Sequence, residues 1–317
     1  MKERITLQSY IEQKIQKDPQ LCRVIYAMAQ SVKEISHLVA TAAFRDLFGL
    51  VGEVNVQGEE KQKLDDISDD VIIRYLKSSE AVALMATEEQ EHVVQGSENG
   101  SYIVAYDPMD GSSNLGVNIA VGTIFSVFER KDKTKPATSD DFMRTGRDTK
   151  LAGYAVYGSN TLIVLAWENQ VHEFTLDPEN GQFVLTDQDI KMPETGNIYS
   201  SNEGNFFAWS EDTQKFVSRI KTAAGSCKGR YVGSLVVDFH RNLKKGGIFL
   251  YPSSSKNPNG KLRLLYECVP MAKIIEAAGG FAVSSVTCST PILDIEACDI
   301  HQRTSLIAGS ENYKKLL

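Results

Sequence analysis

Two carboxylates three residues apart, Asp107 and Asp110 in Asp107-Pro-Met-Asp-Gly-Ser-Ser-Asn114, are the side chains of this sequence best suited to chemistry. Pro108 lacks an N–H and biases the backbone towards a turn, so this spacing brings Asp110 round to face the same point as Asp107. Like charges confined to one small volume must share a cation or take up a proton, and a hard divalent ion with oxygen ligands is the natural neutraliser. Gly111, Ser112 and Ser113 come next, offering N–H groups and hydroxyls to an anion beside the place where a metal would sit. The chemistry implied is metal-assisted work on a phosphate. Taken alone, an Asp-Pro turn with an Asp-Gly reversal on a surface loop has the same spelling, so the surrounding elements have to decide.

Those elements agree. Tyr102 to Tyr106 is a continuous apolar run that suits a strand buried on both faces and places Asp107 at its carboxyl end. Ala81 to Ala86 is a second short apolar run, and it too ends in acids, Thr87-Glu88-Glu89. Open α/β sheets hold their ligands outside the carboxyl ends of their strands. Four acids delivered there would supply ligands for two or more magnesium-like ions, which can clamp an in-line phosphoryl displacement. Asp65 lies near the start of a helix, where an acid commonly serves only the helix dipole.

The second half of the chain carries the basic groups. Arg230 and Tyr231 stand beside a Gly-Ser turn that precedes a helix, and Tyr251 caps the apolar strand Gly-Ile-Phe-Leu-Tyr. Lys261-Leu-Arg-Leu-Leu-Tyr-Glu267 alternates strictly, which reads as a strand with Lys261, Arg263, Leu265 and Glu267 on one face. Glu267 opens a helix that has Pro270 in its first turn and ends at Gly279-Gly280. His240 reads as structural, since no neighbour in the sequence supplies a base's partner.

Helical spacing predicts a short helix over residues 5–17, a longer one from Leu21 to Phe48, and a third from Lys61 to Lys77. The glycine-bearing stretch 49–60 between the last two reads as a mobile loop. Strands are expected at 119–129, 151–158, 161–167 and 171–176, with a hairpin around Asp177-Pro-Glu-Asn-Gly181 and a polar loop over 131–150. A boundary falls within 190–200, dividing the chain into units 1–194 and 195–317. The class is α/β.

Composition narrows the function classes. The 317 residues, 42% of them hydrophobic, can build a substantial core. A formal net charge of -7 speaks against nucleic acid, which would demand a basic face, so the cationic contacts to any anionic substrate must be local. No apolar run approaches the ~20 residues that span a bilayer, and the N-terminus lacks the apolar stretch of a signal peptide. The expectation is a soluble, cytoplasmic protein with no membrane partner, a plastid location staying open if a transit peptide has been removed. Five cysteines with no C-x-x-C pair fit free thiols in a reducing compartment.

With these residues in view, the sequence resembles the fructose-1,6-bisphosphatase family, within the lithium-sensitive, metal-dependent sugar and inositol phosphatases. The resemblance runs from about residue 24 to 312. It is carried by Asn55-Val-Gln-Gly58, Lys63-Leu-Asp65, Asp107 to Asn114, Gly122-Thr-Ile-Phe125, Asn202-Glu-Gly204, Arg230-Tyr-Val-Gly-Ser234, Gly260 to Cys268 and Asp299-Ile-His-Gln-Arg303. It implies a layered αβαβα sandwich of two subdomains, the first binding metal and the second the sugar phosphate. It implies hydrolysis of the 1-phosphate of fructose 1,6-bisphosphate by a metal-activated water, in gluconeogenesis or carbon fixation. The cofactor implied is Mg2+, two or more ions per site, with Mn2+ or Zn2+ as substitutes. By the same resemblance Glu88, Glu89, Asp107, Asp110, Glu267 and the carbonyl of Met109 are metal ligands, and Asp65 with Glu89 orients and deprotonates the water. Ser112 and Arg263 hold the 1-phosphate, with Asp110, Gly111 and Ser113 beside it. Asn202, Tyr231, Tyr251 and Lys261 grip the 6-phosphate and sugar. Arg230 reaches that phosphate from an adjacent subunit, implying a homo-oligomer, usually a tetramer. Glu59 and Glu60 belong to the family's mobile loop, whose closure brings the water-activating acids into place.

The departures from the family pattern matter as much. AMP-inhibited members bind nucleotide phosphate at a Thr-Gly-Glu helix start, where this chain has Asp18-Pro-Gln-Leu-Cys22, and Glu129 replaces an arginine. The thiol-regulated plastid form has a cysteine-bearing insertion in the region matching 131–150, which here contains no cysteine. The sequence therefore predicts weak or absent AMP inhibition and no thioredoxin switch of that kind. Val269 stands where the family commonly has Asn, and Asn205 where animal members have tyrosine. Two alternatives stay open: an enzyme that also accepts sedoheptulose 1,7-bisphosphate, and a non-catalytic metabolite-binding relative.

Overall fold

A computed structural model describes residues 4–54, 60–223 and 227–317, with side chains described outside 50–61 and 223. Its first layer is helical. In α1 (Leu7–Lys14) the Thr6 hydroxyl accepts the Ser9 N–H at 3.1 Å. In α2 (Pro19–Thr41) the Asp18 carboxylate accepts the Leu21 N–H at 3.0 Å, and Pro19 occupies a position where its missing N–H costs nothing. α2 is shorter than its apolar spacing suggests. It ends at Thr41 in a single 3-10 turn, Ala42–Phe44, after which Asp46 and Gly49 adopt positive φ of 52° and 110° and reverse the chain.

The stretch 49–60 is not a loop throughout, as its glycines suggest, because its ends are paired. β1 (Leu50–Val54) runs antiparallel to β2 (Glu60–Gln62). Glu59 lies outside the described residues, and of Glu60 only the backbone is described. α3 (Lys63–Ser78) begins immediately, with Asp65 in its first turn.

The central sheet has eight strands. They are β3 (Val82–Thr87), β4 (Val94–Gln95), β5 (Tyr102–Asp110), β6 (Val121–Glu129), β7 (Thr149–Tyr157), β8 (Thr161–Trp167), β9 (Gln170–Leu176) and β10 (Phe183–Asp187), in the spatial order β10-β9-β8-β7-β6-β5-β3-β4. β3 and β5 are parallel, and the others pair antiparallel. The two neighbouring apolar runs of the sequence are thus neighbours in the sheet, delivering Glu88-Glu89 and Asp107 at the same edge. β5 does not stop at Asp107. It continues through Pro108 to Asp110, with the register against β6 slipping between Asp107 and Asp110, so the proline sits in a bulge rather than a turn.

A smaller sheet of order β12-β11-β13-β17-β15 comes from the second half, built of β11 (Ile198–Ser200), β12 (Lys228–Gly229), β13 (Ile248–Tyr251), β15 (Phe281–Val283) and β17 (Leu306–Gly309). Between its strands lie α4 (Glu211–Ala223), α5 (Leu235–Lys245) and α6 (Val269–Ala277), and α7 (Glu311–Lys314) closes the chain. The stretch 261–267, which alternates like a strand, is different. Only β14 (Leu262–Arg263) is extended, pairing with β16 (Arg303–Thr304), and Leu264–Cys268 coil into one π-helical turn that leads into α6. That turn sends Leu265 into the core and keeps Glu267 on the side of Arg263.

Three apolar clusters define the layers. Ile103 and Ala105 of β5 face one core with α5 and α6, while Tyr102, Val104 and Tyr106 face another with α1 to α3. α4 and α7 cover the outer face of the small sheet through Phe216, Val217, Ile220 and Tyr313. The order is helices, large sheet, α5 and α6, small sheet, helices: an αβαβα sandwich. Among the described residues no helix is long and apolar enough to cross a membrane, and all five cysteines are free thiols.

Candidate active site

The carboxylates at the strand ends line one cavity of about 360 Å³ between the two sheets. β3 leads into Glu88 and Glu89, β5 contributes Asp107, Met109 and Asp110, the first turn of α3 contributes Asp65, and the π turn contributes Glu267. One carboxylate oxygen from each of Asp107, Asp110 and Glu267 lies within 4.8 Å of the others. This all-oxygen, anionic donor set suits a hard divalent cation and is a poor match for soft ions that prefer sulfur or imidazole.

The electrostatics of the cluster say the same. Burial pushes the Glu267 carboxyl up to about 8, with the charge of Glu88 adding to it and the Arg263 guanidinium opposing. Burial, then Glu88, Asp110 and Glu267, hold Asp107 well above the usual carboxylate range. Carboxyls driven this far are an arrangement that a cation relieves.

Asp110 is held from across the molecule. The start of α5 donates to it three times: the Ser234 hydroxyl to Oδ2 at 2.6 Å, the Leu235 N–H to Oδ1 at 3.1 Å, and the Val236 N–H to Oδ2 at 2.9 Å. A helix start favours a carboxylate through its unpaired N–H groups and its dipole. Burial raises the Asp110 carboxyl, and these donors pull it back down. Gly111 comes next at φ 78°, and an added Cβ there would sit 2.6 Å from the Ser234 Cβ, so the close approach of α5 requires glycine.

The Asp65 carboxylate points into the same cavity. The Gln62 N–H donates to its Oδ2 at 2.9 Å, while Oδ1 is buried with no partner within hydrogen-bond geometry. Burial pushes its pKa up to about 7, against the pull of the Gln62 N–H and the nearby Ser112 hydroxyl. A carboxyl titrating there is poised as a general base.

Cations share the cavity with the acids. Arg263, 2% exposed, reaches Glu88 at 3.0 Å, and its backbone N–H donates to Glu267 Oε2 at 2.6 Å. Lys261, Tyr231, Tyr251, Gly111, Ser112 and Ser113 also line the cavity. Asn202 and Arg230 are exposed and do not line the cavity within one chain. Asn202 instead caps a 3-10 turn by accepting the Gly204 N–H at 3.1 Å. His240 has partners that its sequence neighbours do not suggest, since Nδ1 lies 2.9 Å from the Tyr154 hydroxyl and Nε2 lies 3.9 Å from Glu173; it is outside the cavity.

Sequence reasoning missed Gln62, Gly233 and Leu235 on the cavity wall, and it missed Asp69. That buried acid receives the Thr87 hydroxyl at 2.7 Å, the Tyr106 hydroxyl at 2.8 Å and the Gln90 amide at 2.8 Å, bracketing Glu88 and Glu89 on both sides. The available signal was its position four residues after Asp65, on the same helix face.

Comparison with known proteins supplies the family. The model of the fructose-1,6-bisphosphatase N-terminal domain matches residues 4–188, and that of the C-terminal domain matches residues 192–316. The chain is 42% identical over 296 residues to fructose-1,6-bisphosphatase 1 of Bos taurus, covering 92% of this chain and 86% of that protein. It is 46% identical over 277 residues to the class 1 fructose-1,6-bisphosphatase of Leptospira biflexa serovar Patoc, covering 84% and 80% respectively. The crystal structure of Leishmania major fructose-1,6-bisphosphatase in holo form superposes with a TM-score of 0.94 at 38% identity, covering 99% of this chain and 98% of that one.

Proposed function

The chain belongs to the fructose-1,6-bisphosphatase family, and from that premise we propose how its residues hydrolyse the 1-phosphate of fructose 1,6-bisphosphate to fructose 6-phosphate and phosphate. Glu88, Glu89, Asp107, Asp110, Glu267 and the carbonyl of Met109 would hold Mg2+, two or more ions per site. Bound there, the ions supply charge neutralisation at the phosphate and a lowered pKa for a water molecule.

The rest belongs to the chain. Asp65, with Glu89, orients the attacking water, and Asp65 takes its proton at Oδ1, the oxygen not engaged by the Gln62 N–H. Ser112 and Arg263 align the 1-phosphate for in-line attack, with Gly111 and Ser113 at its edge. Hydrolysis needs alignment and electrostatic stabilisation more than covalent chemistry. Tyr231, Tyr251, Lys261 and Asn202 grip the 6-phosphate and sugar, and Arg230 completes that grip from an adjacent subunit of a homo-oligomer, a tetramer in this reading. The observation that carries the proposal is one cavity lined by buried acids together with Arg263 and Lys261.

The test is phosphate release from fructose 1,6-bisphosphate and sedoheptulose 1,7-bisphosphate, with and without Mg2+ and a chelator. The expected result is turnover of the first substrate that chelation abolishes and added Mg2+ restores. Full activity in the presence of chelator would overturn the metal assignment, and comparable rates on the two sugars would make the enzyme bifunctional.

Inhibition by AMP is expected to be absent at micromolar nucleotide. At the start of α2, Asp18 already fills the anion position: its Oδ1 takes the Leu21 N–H, its Oδ2 takes the Tyr102 hydroxyl, and Pro19 offers no N–H. Glu129 adds a second negative charge, paired with Lys133 at 2.6 Å. An incoming phosphate meets repulsion where a free helix start would attract it. Initial rates titrated with AMP check this, and micromolar inhibition that disappears when the segment 18–22 is mutated would refute it.

A further inference from the structure

Arg241 and Asp238 lie one turn apart on α5 and line no part of the cavity, yet their bonds converge on two segments beside it, the end of β11 and the loop 230–234. Asp238 is 0% exposed. Its Oδ2 accepts the N–H groups of Val232 and Gly233 at 2.8 and 3.2 Å, and its Oδ1 accepts from Arg241 Nη2 at 2.6 Å. The same Arg241 nitrogen donates to the Ser200 hydroxyl at 2.6 Å and lies 3.0 Å from the Arg230 carbonyl. One guanidinium and one carboxylate therefore tie together the end of β11, two residues before Asn202, and both ends of the loop that carries Arg230 and Tyr231.

We infer that the Asp238–Arg241 pair positions the residues that recognise the distal phosphate, and so sets the preference for a sugar bisphosphate over a monophosphate. The inference rests on the reading of Tyr231, Asn202 and Arg230 as the distal-phosphate grip. Within the loop 230–234, Gly233 takes a positive φ of 89°, and two consecutive N–H groups, those of Val232 and Gly233, end on Asp238. A buried carboxylate that collects turn N–H groups defines the loop conformation, and the charged Arg241 Nη2 holds that carboxylate in place, with the Ser200 hydroxyl and the Arg230 carbonyl gathered around the same nitrogen. The same helix start holds Asp110, so α5 serves both ends of the substrate: its first N–H groups secure the acid at the reacting phosphate, and its second turn arranges the loop at the other phosphate.

The experiment compares Arg241→Met, Asp238→Asn and Tyr231→Phe with the unaltered enzyme. It reads kcat and KM for fructose 1,6-bisphosphate, kcat/KM for fructose 1-phosphate, and Kd for fructose 6-phosphate by calorimetry. In Arg241→Met and Asp238→Asn, KM for the bisphosphate and Kd for fructose 6-phosphate each rise by about tenfold, equivalent to ~1.4 kcal/mol, while kcat and the fructose 1-phosphate rate hold. Rates on the two substrates falling together, or loss of folding in both variants by circular dichroism, would make the pair a fold determinant and overturn the inference. Tyr231→Phe separates the two levels. If it raises KM and the α5 variants do not, the positioning role is wrong; if it leaves KM and Kd unchanged, the distal-phosphate reading itself is wrong.

Discussion

Replacing Asp65 by Asn lowers kcat by about three orders of magnitude and leaves KM for the bisphosphate nearly unchanged, the loss expected when a positioned general base is removed. Asn keeps the shape and can still accept the Gln62 N–H that caps α3 in the wild-type protein, so the helix start survives while the proton acceptor disappears. The pH profile adds a second readout. Burial pushes the Asp65 carboxyl up to about 7 from an ordinary 3.8, and only its deprotonated form takes a proton. The wild-type rate therefore climbs with pH through neutrality, and the residual rate of Asp65→Asn lacks that limb. A variant that retained more than about a tenth of the wild-type kcat, or kept the same rising limb, would remove Asp65 from the base's role.

Replacing Glu267 by Gln abolishes turnover and at the same time stabilises the chelator-treated protein. Linkage sets the sign. Glu267 has an ordinary pKa of 4.5 and is pushed up to about 8 in the fold, so the folded state binds its proton more tightly than the unfolded chain does. That contribution is fully present below about pH 4.5 and is lost as pH rises through about 8. Asp107, held well above the carboxylate range by burial and its three acidic neighbours, acts in the same direction. In chelator, Tm should fall from about pH 5 to about pH 8.5. Glu267→Gln should flatten that fall, with a gain of up to about 5 kcal/mol at the alkaline end, since each pH unit separating the folded and unfolded pKa values is worth about 1.4 kcal/mol. Mg2+ should raise the wild-type Tm most at alkaline pH and the Gln variant least, because a ligand that binds only the folded state stabilises it by mass action. Equal Tm values for the two proteins in chelator across this range would contradict a buried, proton-hungry Glu267.

Much of this site is written locally. The two apolar runs that end in Glu88-Glu89 and at Asp107 are strands because nothing interrupts them, and they are neighbours because a short parallel crossover joins them. Glu267 reads as a helix start because Pro270 and Gly279-Gly280 punctuate the residues after it. The unread parts depend on distant partners. The seat of Asp110 lies 124 residues away at Ser234, and no periodicity reports such a contact. Strict alternation over Lys261 to Glu267 spells a strand, yet only Leu262 and Arg263 find strand partners, in Thr304 and Arg303, and a π turn takes over after them. Leu47 and Phe48 extend the helical spacing of α2, but the positive φ at Asp46 turns the backbone away before them. Pro108 reads as a terminator, whereas the register slip lets the strand carry it.

The bonds from α5 to Asp110 have a bearing on how such a protein can be recombined. An acid on the first half finds three donors on the second, and Gly111 admits those donors by having no side chain. A chimera joined between residues 188 and 192, with each half from a different relative, inherits this latch only if the Gly111 crossing and the Ser234 helix start fit each other. Parents matched at that junction should yield hybrids that fold and turn over, whereas parents mismatched there should yield hybrids with a misaimed carboxylate.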